Sequence, residues 1–309
     1  MYLINRLSRK PSLVMNSFDL KSYLSSNREQ INEALDSIFA NTSNKIVKAM
    51  KYSLMAGGKR IRPILCVAAA ETVGGQSQDV IRAACALEMI HTYSLIHDDL
   101  PAMDNDEIRR GQPTCHVAFD EATAILAGDA LQAHAFEILA ASNLPVNDRH
   151  RLEMIALLAT ASGSDGMAGG QSIDLAAVGS KLSLQELEAM HRLKTGALIR
   201  ASILLGAMCS PTVSEDELTM LGRYADCIGL SFQIQDDILD VIGDTETLGK
   251  PRGSDEKMQK PTYPSILGLD ASRKLALEQH EQALSHLETL DARANTLRQL
   301  SAYIVEREY

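Results

Sequence analysis

The sequence predicts an all-α protein folded as one domain. Three observations predict it. Proline is scarce, nine in 309 residues, and aromatic residues make up 4%. Apolar residues recur at helical spacing, as at Val47, Met50 and Leu54, and again at Leu184, Leu187, Met190 and Leu193. Alternating segments of strand type, bounded by turns, are hard to find.

The elements read in order along the chain. Residues 1–15 (MYLINRLSRKPSLVM) are basic and lack a long apolar core, so they make a poor secretory signal. They read as a disordered extension ahead of a domain spanning 16–309. A start at Met15, a transit peptide and a functional arm stay open as other readings. Gly57-Gly58 ends an early helix, and Pro63 suits the first turn of the next. A long apolar helix begins near Asp79 and is closed by Pro101. Ser183 with Glu186, and Ser214 with Glu217, are capping-box pairs that start two later helices. The total is roughly ten helices, several beyond the average of about 11–12 residues. No Ser/Gly/Pro linker divides the chain, and no short repeat is evident.

Composition excludes several function classes. Net charge is -10, without the basic character of a nucleic-acid binder. No apolar run approaches the roughly 20 residues of a membrane span. Five cysteines, Cys66, Cys85, Cys115, Cys209 and Cys227, form no C-x-x-C. They read as reduced, buried thiols of a cytoplasmic protein rather than a disulfide framework or zinc site. An acidic protein that binds an anion needs metal ions or a local basic patch.

Three features carry chemistry. The first is His91-Thr-Tyr-Ser-Leu-Ile-His97-Asp98-Asp99-Leu-Pro-Ala-Met-Asp104-Asn-Asp106, with acids gathered at the end of an apolar helix. Pro101 breaks that helix, so Asp104 can fold back toward Asp98 and Asp99. Carboxylates converging without His or Cys favour a hard, oxygen-loving ion such as Mg²⁺. Alone, the cluster is also what a solvated acidic helix end looks like. The second is Gln233-Ile-Gln235-Asp236-Asp237-Ile-Leu-Asp240, where Asp236 and Asp240 share a helix face inside an apolar context. Two such motifs in one helical chain make solvated charge a poor explanation for both.

The third feature is the cations. Lys59, Arg60 and Arg62 follow Gly57-Gly58; Arg109 and Arg110 follow the first acidic cluster; Lys250 and Lys260 follow the second; Lys194 lies in a helix. Arginine forks pair bidentately with phosphate oxygens, and lysine supplies point charge. The parts describe two opposed carboxylate walls holding Mg²⁺ and a diphosphate, beside an all-basic site for a second diphosphate.

Here the sequence resembles the trans-prenyl diphosphate synthases, from about residue 17 onward. The motifs are GGKRIRP at 57–63, HTYSLIHDDLPAMDNDEIRRGQPT at 91–114, GGQSIDL at 169–175, KTG at 194–196 and QIQDDILDVIGDTETLGKPRGSDEKMQKPTYPSILG at 233–268. The resemblance implies a single-domain helical bundle around a deep central cavity, the isoprenoid synthase fold, usually in a homodimer. It implies a Mg²⁺-dependent prenyltransferase acting on isopentenyl diphosphate with dimethylallyl and geranyl diphosphates. Position by position, Asp98 and Asp104, with Asp99 beside them, match the first aspartate-rich motif; Asp236 and Asp240 match the second. Gly58 lies in the GGKRIRP motif. Lys59, Arg62, His91 and Arg110 match residues that hold isopentenyl diphosphate. Arg109, Lys194, Thr195, Gln233, Lys250 and Lys260 match residues around the allylic diphosphate. Gln171 and Asp174 match a supporting pair near the metals.

The implied reaction is ionisation of the allylic C–O bond, attack by the isopentenyl double bond, and proton loss to the released diphosphate. Lys194 and Thr195 steady the cation in the family's pattern. Tyr93, five residues before Asp98, with Ser94 one turn before Asp98, matches the bulky floor that goes with a fifteen-carbon product. Geranyl or geranylgeranyl products are the closest alternatives. A terpene cyclase is disfavoured by the Asp-Asp-x-x-Asp second motif. A non-catalytic subunit of a heteromeric synthase is disfavoured because both aspartate motifs are intact.

Overall fold

Helix α1 (Leu20–Ile38) and helix α2 (Lys45–Met55) open the fold in the computed structural model, which describes residues 18–40, 44–140, 144, 146–242 and 260–307. The extension expected at 1–15 and Lys250 lie outside the described residues. Each of the two helices starts on a side-chain cap: Asp19 accepts from the Lys21 N–H and Asn44 from the Ile46 N–H. Gly57 and Gly58 then run at φ 93° and 120°, conformations that favour glycine, and turn the chain into α3 (Ile61–Thr72).

The core is built on helices that are apolar nearly all round. α3 and α4 (Ser77–Asp98) are buried on most of their circumference. α4 packs along α3 and α6 (Glu121–Ala140). α10 (Ala197–Met208) lies against α3 so closely that a Cβ on Gly206 would stand 1.9 Å from the Cys66 carbonyl oxygen. The capping boxes form as expected. Glu186 Oε2 accepts from the Ser183 N–H at 2.8 Å and starts α9 (Leu184–His191). Glu217 Oε2 accepts from the Ser214 N–H at 2.9 Å and starts α11 (Glu215–Ile242), about 42 Å long at 1.5 Å per residue. α7 (Asp148–Ser162), α8 (Met167–Ala177), α12 (Tyr263–Leu267), α13 (Leu269–Ser285) and α14 (Asn295–Glu306) complete the bundle.

Two local departures bear on the site. A two-stranded antiparallel hairpin, β1 (Ile108–Arg109) and β2 (Gln112–Pro113), leads into the short α5 (Cys115–Ala118). Its loop is Arg110-Gly111, at φ 54° and 76°, a pair of positive φ values of the kind that closes two-residue hairpins. Residues 192–196, expected to be ordinary α-helix, form one π turn, Arg192–Gly196, between α9 and α10.

Arg60 is a structural residue, not a phosphate ligand as its place beside Lys59 suggested. It is 3% exposed; its Nη1 donates to Glu88 Oε1 at 2.5 Å, its Nε to Asn32 Oδ1 at 3.0 Å and its Nη2 to the Leu54 carbonyl. All five cysteines are free and buried. Among the described residues no helix is long and apolar enough to cross a membrane.

Candidate active site

The end of α4 places the first acidic cluster as the break at Pro101 predicts. Asp98 is the last helical residue. The chain then folds back, and the Asp104 N–H donates to the Asp98 carbonyl oxygen at 2.8 Å. Asp98 and Asp99 are successive, so they point about 100° apart around the helix. Only Asp98 faces the cavity beside α4. Asp99 is 3% exposed and turned the other way, where Arg109 of the hairpin grips it with a fork: Nη2 to Oδ1 at 2.5 Å and Nε to Oδ1 and Oδ2 at 2.8 and 3.0 Å. The three-carboxylate convergence expected of Asp98, Asp99 and Asp104 therefore reduces to Asp98 with Asp104. Arg109 braces the helix end instead of lining the cavity.

That cavity holds about 720 Å³. His91, Ser94, Leu95 and Asp98, spaced three and four apart, line one face of α4 toward it. Tyr93 and His97 line it from the neighbouring stripe, ring edge to ring face at 5.8 Å. α8 contributes Met167, Gln171 and Leu175. The π turn contributes Lys194 and Thr195, consecutive residues that both reach the cavity. α8 and the π turn touch through Gly170, where a Cβ would stand 2.2 Å from the Lys194 nitrogen.

Charges interlock around this wall. Lys194 Nζ meets Asp174 Oδ2 at 2.5 Å, and Lys260 Nζ lies 3.5 Å from Asp104 Oδ1 and 4.0 Å from Asp174 Oδ2. Burial pushes the Asp98 carboxyl up to about 6; the Lys194 charge opposes that shift and Asp104 adds to it. Asp236 of α11 accepts from Arg307 Nη2 at 2.6 Å. Arg307 lies just beyond α14, is 8% exposed, stacks its guanidinium 4.0 Å from the Phe232 ring centroid and donates to the Phe232 carbonyl at 2.9 Å. Sequence reading missed it: a lone cation 71 residues after Asp236 carries no spacing signal. Asp240, one turn on from Asp236, is 3% exposed.

The basic site assembles around the glycine loop. Arg110 donates to the Gly57 carbonyl, and Gly58 makes room for it, since a Cβ there would stand 2.6 Å from Arg110 Cζ. Arg62 comes from the first turn of α3, and its buried Nε has no partner. Burial, and then the charges of Arg62 and Arg110, hold the His91 ring neutral, well below its usual range. Burial also lowers Lys59, with Arg307 adding to the effect and Asp236 opposing it. These groups are near enough to perturb one another, and an anion among them would relieve that repulsion.

The donors suit a hard divalent ion and a polyanion. Among the described residues no three acidic, His or Cys side chains gather as a metal cage. Mg²⁺ does not require one, because it usually takes one or two carboxylates and completes its shell with water and phosphate oxygens. The all-carboxylate set of Asp98, Asp104 and Asp236 fits that habit. Both side-chain amide atoms of Gln171, one turn before Asp174, are buried without a partner, as expected beside a bound polar group.

Comparison with known proteins identifies the family. Residues 43–303 match the family model described as polyprenyl synthetase. The farnesyl diphosphate synthase of Escherichia coli K12 is 49% identical over 286 residues, 90% of this chain and 96% of that protein. A chloroplastic geranylgeranyl pyrophosphate synthase of Capsicum annuum is 45% identical, over 94% of this chain and 79% of that one. The crystal structure of an FPP/GFPP synthase from Zymomonas mobilis superposes with a TM-score of 0.83 at 40% identity, covering 93% of this chain and 98% of the other. The helical bundle is the all-α isoprenoid synthase fold. With matches of this length and identity, the chain belongs to the polyprenyl synthetase family.

Proposed function

We propose that this protein condenses isopentenyl diphosphate with dimethylallyl diphosphate, and then with geranyl diphosphate, head to tail, to give farnesyl diphosphate. The observation that carries the reading is one cavity lined on α4 by Asp98 and, five residues back on the neighbouring stripe, by Tyr93, together with Lys194 and Thr195 of the π turn. Close similarity to farnesyl diphosphate synthases supports the fifteen-carbon product. The reading with a longer product rests on similarity to geranylgeranyl pyrophosphate synthases and on the small Ser94 in the lining.

Asp98 and Asp104 on one wall, and Asp236 with Asp240 on the other, are the residues that would hold Mg²⁺. Bound there, Mg²⁺ supplies Lewis-acid stabilisation of the charge on the departing diphosphate. Lys194, Lys260 and Lys250 are the candidates to pair with the allylic diphosphate. Arg109 supports Asp99 behind that site. Lys59, Arg62 and Arg110, with neutral His91, would take isopentenyl diphosphate as an anion without metal. The apolar wall of Met103, Met167 and Leu175 excludes water from the allylic cation. Thr195 offers oxygen lone pairs to it. The departing diphosphate is the base that takes the final proton.

A homodimer is part of the proposal. Ile125 and Leu126 on α6, and Leu152 on α7, are large apolar side chains left exposed. Five reduced thiols support a cytoplasmic setting. The test of the metal assignment uses the purified chain with isopentenyl and dimethylallyl diphosphates. EDTA should abolish turnover and Mg²⁺ restore it. Asp98→Ala and Asp236→Ala should each lower kcat roughly 100- to 1,000-fold, as loss of a main charge-stabilising contact does. Near-normal turnover in either variant contradicts the two-wall arrangement.

A further inference from the structure

Behind Thr195 runs a chain of hydrogen bonds with one allowed direction. Asp237 of α11 is 3% exposed and its carboxylate can only accept. Its Oδ2 takes the Tyr263 N–H at 3.0 Å, and its Oδ1 takes Gln233 Nε2 at 2.9 Å. Gln233 and Asp237 are i and i+4 on one helix, so this bond is set by the helix itself. The Gln233 amide must then turn its oxygen away from Asp237. That oxygen, Oε1, lies 3.0 Å from Thr195 Oγ1. A carbonyl oxygen has no hydrogen to give, so the Thr195 hydroxyl must donate. Its one proton is spent on Gln233, and its lone pairs are left for the cavity that Thr195 lines.

We infer that Asp237 is a positioning residue: through Gln233 it holds the Thr195 hydroxyl in the orientation that presents oxygen, not hydrogen, to the reacting carbon chain. The inference rests on the carbocation chemistry proposed above. A hydroxyl dipole turned the other way would place its positive end on a developing cation. The same carboxylate ties α11 to the start of α12, and Tyr263 stacks on His191 at 5.6 Å on its other side. Burial depresses the His191 ring to about 4, so it is neutral near pH 7, and its Nε2 stands 4.0 Å from Asp237 Oδ2.

The test is Asp237→Asn, which keeps the shape but supplies an N–H₂. Gln233 can then flip, its amide nitrogen facing Thr195 and the hydroxyl proton released toward the cavity. The expected result is a fall in kcat of roughly tenfold or more, with KM for both diphosphates and the Mg²⁺ requirement within about threefold of the parent. The decisive comparison is a double-mutant cycle with Thr195→Val. Asp237 acts through Thr195, so Asp237→Asn should cost nothing further in the Thr195→Val background. Where Asp237→Asn does not fold, Gln233→Leu cuts the same chain one link nearer and enters the same cycle. Multiplicative losses in the cycle, or an unchanged kcat in Asp237→Asn, overturn the inference. A parent chain that ionises no allylic diphosphate removes the reaction itself, and the inference falls with it; the two failures are told apart by the parent's activity.

Discussion

Replacing Tyr93 by alanine should lengthen the product, and the size of the effect follows from the cavity. Tyr93 is 7% exposed and lines the cavity five residues before Asp98 on α4. Tyrosine to alanine removes seven heavy atoms, and one isoprene unit contains five carbons. The space released, on the order of 100 Å³ at interior packing density, is therefore enough for one further unit. It is added to a cavity of about 720 Å³. Burying five more carbons is worth about 4 kcal/mol at 0.8 kcal/mol per carbon, which a closed floor denies to the parent enzyme. The same truncation costs roughly 3 kcal/mol of stability as an unfilled space, so the variant should melt a few degrees lower and stay folded at 25 °C. The assay is chromatography of dephosphorylated products from labelled isopentenyl diphosphate. The expected change is from a fifteen-carbon product to a mixture in which twenty carbons is a major species. A folded Tyr93→Ala chain that makes only the fifteen-carbon product refutes Tyr93 as the floor.

Two further predictions concern the frame around the site. Glu88→Ala should destabilise the chain by about 3–5 kcal/mol in urea titration, because it strands the buried Arg60 guanidinium; the pair is 1% and 2% exposed at its side chains. Replacing both together, Arg60→Met with Glu88→Leu, should recover most of that loss, and equal losses in the single and double variants would show the ion pair to be incidental. His191 should make stability pH-dependent: burial holds its folded pKa at about 4. Between about 4 and its ordinary 6.5 the unfolded chain binds a proton that the folded chain refuses, so stability falls as pH is lowered through that window. Unfolding free energy at pH 5 should lie about 2 kcal/mol further below its pH 7 value in the parent than in His191→Phe, and identical pH profiles would contradict this.

Much of the fold was legible because its determinants are local. The capping boxes at Ser183 and Ser214 and the break at Pro101 each act within a few residues, and all three stand where the spacing puts them. Part of the site was legible from its motifs: the backbone does fold Asp104 back onto Asp98, and Asp98, Lys194 and Thr195 line one cavity. What spacing could not resolve was direction. Asp98 and Asp99 look alike in sequence, but helix rotation sends one to the cavity and the other to Arg109. Arg60 and Arg62 also look alike, but Arg60 is buried against Glu88, Asn32 and the Leu54 carbonyl while Arg62 lines the cavity. The hairpin escaped notice because its strands are two residues each and carry no alternation. Arg307 reaches Asp236 only through tertiary packing, and the π turn shows no residue signature of its own.

The most direct test of the account is the product profile of the purified chain with Mg²⁺, isopentenyl diphosphate and each allylic starter in turn. Dimethylallyl diphosphate and geranyl diphosphate should both be carried to farnesyl diphosphate as the main product, and farnesyl diphosphate offered as starter should be extended little. A folded chain that forms no carbon–carbon bond from either starter would contradict the proposed reaction, and ready extension of farnesyl diphosphate would contradict the floor at Tyr93.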